Sequence, residues 1–172
     1  VNATGANNGT SWTDAYTNLQ TAITNTAAGN ELWVADGYYR TTSHAGFTMK
    51  EGVSMYGGFQ GIENLRNERD YTTYFTILTA ENLNDGDSTN NHNRVISATN
   101  LTNATYLDGF IIEHAYGNDG NNAGYARQGA LLLNNSDIIV QNNTFRYNTI
   151  NDGGGIAVMN TSAPVIENCN FL

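Results

Sequence analysis

Residues 129–145, GALLLNNSDIIVQNNTF, align without a gap on residues 155–171, GIAVMNTSAPVIENCNF. Gly129 falls on Gly155, Asn134 on Asn160, Ser136 on Ser162, Val140 on Ile166, Asn142 on Asn168 and Phe145 on Phe171, each pair 26 residues apart. A repeat of this length cannot bury its own apolar face and must stack on its neighbours. Its apolar runs, Leu131–Leu133, Ile138–Val140 and Ile156–Met159, are too short for helices and are flanked by Asn, Gly and Thr, so they read as strands. The fold expected is all-β, a right-handed parallel β-helix. Each coil of about 26 residues pairs its strands with their equivalents in the next, about 4.8 Å away.

Asn142 stacking on Asn168 in an amide ladder and Phe145 on Phe171 inside follow from that geometry. Upstream, Asp108-Gly109-Phe110 precedes Phe145 by 35 residues, one period plus nine. The surplus reads as a nine-residue insertion within Glu113–Gln128. Val53–Phe59 resembles Ala104–Phe110 about two periods earlier. At the N-terminus, Ser11 with Asp14 three residues on signals a helix start, and Trp12, Ala15, Tyr16, Leu19, Ala22 and Ile23 keep helical spacing up to Gly29. Residues 1–30 are therefore expected to cap the stack, with a helix over 11–28. Residues 31–172 form about five coils of the same structural domain. A further coil or a capping partner is expected beyond Leu172, because an open sheet edge invites aggregation.

Composition narrows the function classes. Charged residues are 13% of the chain and the net charge is −9, which argues against nucleic acid and acidic membrane surfaces as partners. Polarity comes from neutral groups: 27 Asn, 21 Thr and 18 Gly against one Lys. Asn suits corners because it tolerates left-handed backbone and bonds to backbone. Cys169 is the single cysteine, so neither an intrachain disulfide nor a Cys-based zinc site is available. No run of 18 apolar residues occurs, so the chain is not expected to span a membrane by a helix.

Phe145-Arg146-Tyr147-Asn148 fits an F-x-x-N element, and Gly154-Gly155-Ile156 a following G-G-A/I element. Together they resemble the repeats of chlamydial polymorphic outer-membrane proteins and of Bacteroidota surface β-helix proteins. The helix region, Glu31–Tyr39, Val53–Phe59 and Thr76–Leu78 are similar to the usual opening of the latter group. The resemblance implies a secreted or cell-surface bacterial protein, often exported by type IX secretion to the outer membrane, with a role in adhesion or display. The leading expectation is a non-enzymatic module with a structural or adhesive role, binding protein or neutral glycan through its flank and the 113–128 loop, and the open end of the stack adds the reading of a cargo or subunit of a larger surface assembly.

Parallel β-helices also include polysaccharide lyases and glycoside hydrolases, so an N-terminal piece of such an enzyme, with its active site in later coils, is the alternative. No Gly-His-Gly element occurs; His44, His92 and His114 sit in Ser-His-Ala, Asn-His-Asn and Glu-His-Ala. No catalytic residue is assigned. Loops projecting from a solenoid commonly carry its binding function. The 113–128 loop offers His114, Tyr116, Asp119, Tyr125 and Arg127 as ligand-binding candidates. Glu113 beside His114 is a weak acid–base pair. Asn84, Asp85 and Asp87 form an oxygen-rich segment able to hold Ca2+, weighed against a polar loop whose Asp and Asn simply make turns. Asp87-Ser88-Thr89 fits a Bacteroidota O-glycosylation pattern, which makes Ser88 an acceptor candidate.

Overall fold

A computed structural model describes residues 3–117, 129–150 and 154–172. The chain begins with a short helix, α1 (Leu19–Asn25), and continues through β1 (Glu31–Ala35), β2 (Gly37–Arg40) and β3 (Phe47–Thr48). A second circuit follows with β4 (Ser54–Phe59), β5 (Thr76–Thr79) and β6 (Ile96–Thr99). The third has β7 (Tyr106–Asp108), β8 (Phe110–Glu113), β9 (Tyr116–Gly117) and β10 (Leu131–Asn134). Then come β11 (Ile139–Gln141), β12 (Thr144–Arg146), β13 (Thr149–Ile150), β14 (Ile156–Met159), β15 (Val165–Glu167) and β16 (Asn170–Phe171).

These strands build an all-β fold of parallel sheets. The first sheet runs β1-β4-β7-β11-β15, the second β2-β5-β8-β12-β16 and the third β3-β6-β10-β14, with β9 and β13 as a small fourth. The chain visits the three large sheets in the same order on every circuit. Each strand therefore lies beside its counterpart one circuit away, as the stacking argument requires. Inward columns such as Met55, Leu107 and Val140 are buried, and Phe59, Phe110 and Phe145 join them in the core. Phe145 stacks on Phe171 with ring centroids 5.0 Å apart and planes 7° apart. Gly155 lacks a side chain where a Cβ would lie 2.8 Å from that Phe171 ring, which explains a glycine after the F-x-x-N element.

The repeat length is less regular than the sequence implies. Val140 pairs with Ile166, a step of 26, but Leu107 pairs with Val140, a step of 33, and Tyr56 with Asp108, a step of 52. Val53–Phe59 and Ala104–Phe110 thus belong to neighbouring circuits, not to circuits two periods apart. The longer second circuit carries two excursions, residues 60–75 and 80–95, between its strands. Opposite Phe145 stands Ile112, not Phe110. The insertion also begins later than Glu113, because Tyr116–Gly117 pairs with Thr149–Ile150. Fourteen positions separate Gly117 from Leu131 and six separate Ile150 from Ile156, which leaves an insertion of eight. In the ladder Val140 stays level with Ile166 and Phe145 with Phe171, but Gly129 and Asn134 do not meet Gly155 and Asn160, because Leu131 pairs with Ile156 and Asn134 with Met159, a step of 25. Asn134 and Asn160 join by their amides, whereas the Asn142 amide turns to Asp108 at 2.9 Å rather than to Asn168.

The cap helix is shorter than the periodicity suggests, seven residues from Leu19, with Asn18 as its N-cap accepting from the Thr21 N–H. Ser11 and Asp14 do bond reciprocally, but Asp14 also accepts the Ala6 N–H at 2.7 Å and so closes a loop instead of starting a helix. Hydrogen bonding to the Ala6 N–H and the Ser11 hydroxyl holds its carboxyl below the usual range. Leu19, Ala22 and Ile23 are buried against the end of the stack. Gln20 covers the free edge of β3 as a strand would: its amide oxygen accepts the Thr48 N–H at 2.8 Å and its NH2 donates to the Thr48 carbonyl at 3.2 Å. Lys50 closes the helix C-terminus by donating to the Thr24 and Thr26 carbonyls.

Candidate functional site

Successive circuits bulge at one corner, where the chain passes from the second sheet to the third. Residues 41–46, 80–95 and 114–117 all leave the three large sheets there. They are tied across circuits: Thr41 Oγ1 lies 2.7 Å from His92 Nδ1, the Asn93 N–H donates to His44 Nδ1 at 3.3 Å, and Arg40 donates to Asn84 Oδ1 at 2.5 Å. The Tyr116 N–H donates to the His92 carbonyl at 3.0 Å, and Asn91 Nδ2 to the His114 carbonyl at 3.0 Å. Asn91 is buried, and among the described residues its Oδ1 has no hydrogen-bond partner. His92 and His44 meet edge to face at 4.9 Å. Burial and then the neighbouring His44 push the His92 pKa below its usual value.

The outer part of the corner is aromatic and charged. His114 and Tyr147, equivalent in neighbouring circuits, both adopt left-handed backbone (φ 61° and 55°), a conformation disfavoured for such side chains and often found at functional positions. Their rings stack 5.4 Å apart, and Tyr147 is 65% exposed. Arg146 lies over the Tyr147 ring at 5.4 Å and donates through Nε to buried Glu113 at 2.7 Å. Glu113 is also 3.4 Å from His114 Nδ1. With its carboxylate engaged by Arg146, Glu113 serves to fix the guanidinium and the imidazole; that commitment weakens the acid–base reading of the Glu113–His114 pair.

The 82–87 segment faces inward on itself. Asp85 accepts from the Asp87 N–H and from Asn90 Nδ2, both at 2.9 Å. Asp87 accepts from the Thr89 hydroxyl at 2.6 Å and the Thr89 N–H at 2.9 Å, which holds its carboxyl below the usual range. With Asn84 engaged by Arg40, these oxygens satisfy donors of the protein, the arrangement of a turn-forming loop. Among the described residues no group of three or more His, Cys, Asp or Glu could hold a metal. Ser88 is exposed at the start of a single 3-10 turn, Ser88–Asn90.

Residues 1–170 match the family described as "Protein of unknown function (DUF1565)". The chain belongs to the DUF1565 family. That family is associated with parallel β-helix proteins, in keeping with the parallel sheets. No curated protein and no solved structure matches the chain. Among the described residues, no helix is long and apolar enough to cross a membrane.

Of the five loop candidates, His114 and Tyr116 stand on this corner, while Asp119, Tyr125 and Arg127 lie outside the described residues. Asn84, Asp85, Asp87 and Ser88 belong to the same corner one circuit earlier, connected to it through Asn91 and His92. Sequence reasoning missed Arg146 and Tyr147, although both lie inside the F-x-x-N element. The 33-residue step that brings Tyr147 over His114 was hidden by aligning Phe145 with Phe110.

Proposed function

We propose that the chain is a right-handed parallel β-helix module of a secreted or cell-surface bacterial protein, with an adhesive role exerted at the corner of His114, Tyr116, Arg146 and Tyr147. The three-sheet winding, the parallel pairing and membership of DUF1565 support the β-helix, and the chirality of parallel crossovers supports its right hand. The observation that carries the binding reading is the stacked His114–Tyr147 pair with Arg146 over the exposed tyrosine. An aromatic ring flanked by hydrogen-bond donors suits a neutral glycan, which presents apolar C–H faces and hydroxyls together. A glycan array probed with the chain, with and without calcium, tests this. Retention of selected neutral glycans, lost in Tyr147→Ala with unchanged circular dichroism, supports it. Glycan retention that survives Tyr147→Ala and Arg146→Ala removes the corner from the reading, and turnover of a polysaccharide would overturn the non-enzymatic role.

A further inference from the structure

Where the chain passes from the first sheet to the second, three successive circuits turn a left-handed corner, at Gly109 (φ 84°), Asn142 (φ 55°) and Asn168 (φ 51°). At Gly109 a Cβ would lie 3.1 Å from the Tyr71 side chain, so the 60–75 excursion rides directly over the glycine corner. The asparagine corners of the next two circuits lie beside it. The step between excursion and corners is a groove of about 380 Å3, within the range of ligand sites. Tyr71 and Phe75 form its wall. Its floor is the outward row Ile111, Thr144 and Asn170, flanked by Asn142 and Asn168.

The wall is held in place. Asp70 accepts from the Thr72 and Thr73 hydroxyls at 2.6 and 2.8 Å, its carbonyl accepts the Tyr74 N–H at 2.8 Å, and Arg69 lies over the Tyr71 ring at 5.4 Å. Phe75 is nevertheless 50% exposed. Along the floor, paired residues of successive circuits stand in a straight row about 4.8 Å apart. Among the described residues, the Thr144 hydroxyl and the Asn168 and Asn170 amides have no hydrogen-bond partner in the protein.

These features select the occupant. No charged residue lines the groove, so an ionic ligand would find no counter-charge. Strands β8 and β12 are each paired on both sides, so no further strand can add to them. An apolar ligand, or a proline-rich segment without N–H groups, would leave the amide carbonyls unmatched. A hydroxyl donates and accepts at once, as a row of amides requires. A pyranose ring combines such hydroxyls with an apolar C–H face that packs on an aromatic ring. Because the floor row is straight, a straight chain of such rings fits it and a coiled one does not.

We propose that this groove binds a neutral, linear, β-linked glycan, whose rings pack on Phe75 and Tyr71 and whose hydroxyls bond to Thr144, Asn168 and Asn170. The groove lies between the first and second sheets, apart from the corner of His114 and Tyr147, and does not rest on the reading of that corner.

Calorimetric titration and NMR of the side-chain amides test it in a Tyr147→Ala background, which removes the contribution of the corner. The probe is cellohexaose, compared with the coiled maltohexaose, the charged hexagalacturonate and hexaproline. Saturable binding of cellohexaose is expected, with shifts of the Asn168 and Asn170 NH2 signals, and at least tenfold weaker binding of the other three. Phe75→Ala should weaken cellohexaose binding at least tenfold and Thr144→Val several-fold, both with unchanged circular dichroism. Cellohexaose binding that is absent in this background, that survives both substitutions, or that maltohexaose equals overturns the proposal. Tighter binding of hexaproline also overturns it and makes the groove a peptide site. Cellohexaose binding present in the unsubstituted chain but lost with Tyr147→Ala keeps the corner reading and removes this one.

Discussion

Asn148 closes the backbone of the preceding circuit at Ala115: its Oδ1 accepts the Ala115 N–H at 3.0 Å and its Nδ2 donates to the Ile112 carbonyl at 2.9 Å. Asn143 repeats the arrangement five residues earlier, accepting the Phe110 N–H at 2.9 Å and donating to the Leu107 carbonyl at 2.8 Å. An amide offers a donor and an acceptor at once, on separate atoms of one short planar group. The Asn of the F-x-x-N element is therefore a clamp between circuits.

Asn143 is fully buried, so Asn143→Ala leaves one N–H and one C=O without partners. At about 1–3 kcal/mol for each orphaned group, a loss of about 2–5 kcal/mol is expected in urea unfolding. Asn143→Asp should recover little, since a carboxylate cannot donate to the Leu107 carbonyl. Cys169 holds the same place one circuit on, with its Sγ 3.7 Å from the Val140 carbonyl. Cys169→Asn should raise stability by about 0.5–1.5 kcal/mol, the net worth of a hydrogen bond. An unchanged or lowered midpoint for that variant would count against the clamp.

The stacking of circuits was legible because Val140, Phe145 and their partners 26 residues on sit where the sequence repeats without gaps. Where loops intervene, residue type misled. Phe110 resembles Phe145 chemically, yet the backbone ladder aligns Ile112 with it, because both side chains fill the same kind of inward position. Helical spacing over Trp12 to Ile23 came from two different sources. Leu19, Ala22 and Ile23 pack as a helix, whereas Trp12 reaches Phe59 at 5.5 Å from a loop. The corner was half legible: loop length pointed to His114 and Tyr116, but the contribution of Tyr147 depends on a 33-residue step that no local motif reveals.

Two glycines with nearly the same backbone should respond differently to substitution. Gly29 (φ 88°) has open space where a Cβ would lie, while at Gly58 (φ 89°) that atom would stand 2.5 Å from the Tyr71 backbone. Gly29→Ala meets left-handed strain alone, about 1–2 kcal/mol. Gly58→Ala adds a clash that the 60–75 excursion must absorb, for a total of about 2–5 kcal/mol. Thermal melts of the two variants measure the difference; equal shifts would mean that the excursion moves freely.

Gln20 is expected to protect the β3 edge. Gln20→Ala should cost about 1–2 kcal/mol through two lost bonds and should expose the edge, seen as faster exchange of the Thr48 amide and as concentration-dependent scattering. Gln20→Glu keeps the acceptor but sets a carboxylate against the Thr48 carbonyl, so it should behave like the alanine variant. Full recovery by Glu would show that the NH2 bond contributes nothing.

The corner should loosen in mild acid through His92. Burial and the neighbouring His44 lower its pKa in the folded protein, so between that lowered value and the ordinary 6.5 the unfolded chain binds the extra proton. Stability then rises with pH across this window. The contribution is complete above about 6.5 and is lost as pH falls through the folded-state value. Protonation would also set a charge beside His44 and make both ring nitrogens donors, so that Nδ1, 2.7 Å from the Thr41 hydroxyl, could only donate to it. The expected result is a melting temperature that falls between pH 7 and pH 5, with a smaller fall in His92→Gln, which keeps polar bonding to Thr41 but does not titrate. Carboxylates held below their usual range, such as Asp87 bonded to the Thr89 hydroxyl, lose their contribution only at lower pH. A two-step acid profile, whose upper step vanishes in His92→Gln, is the signature to measure; an upper step that persists would place the titration elsewhere.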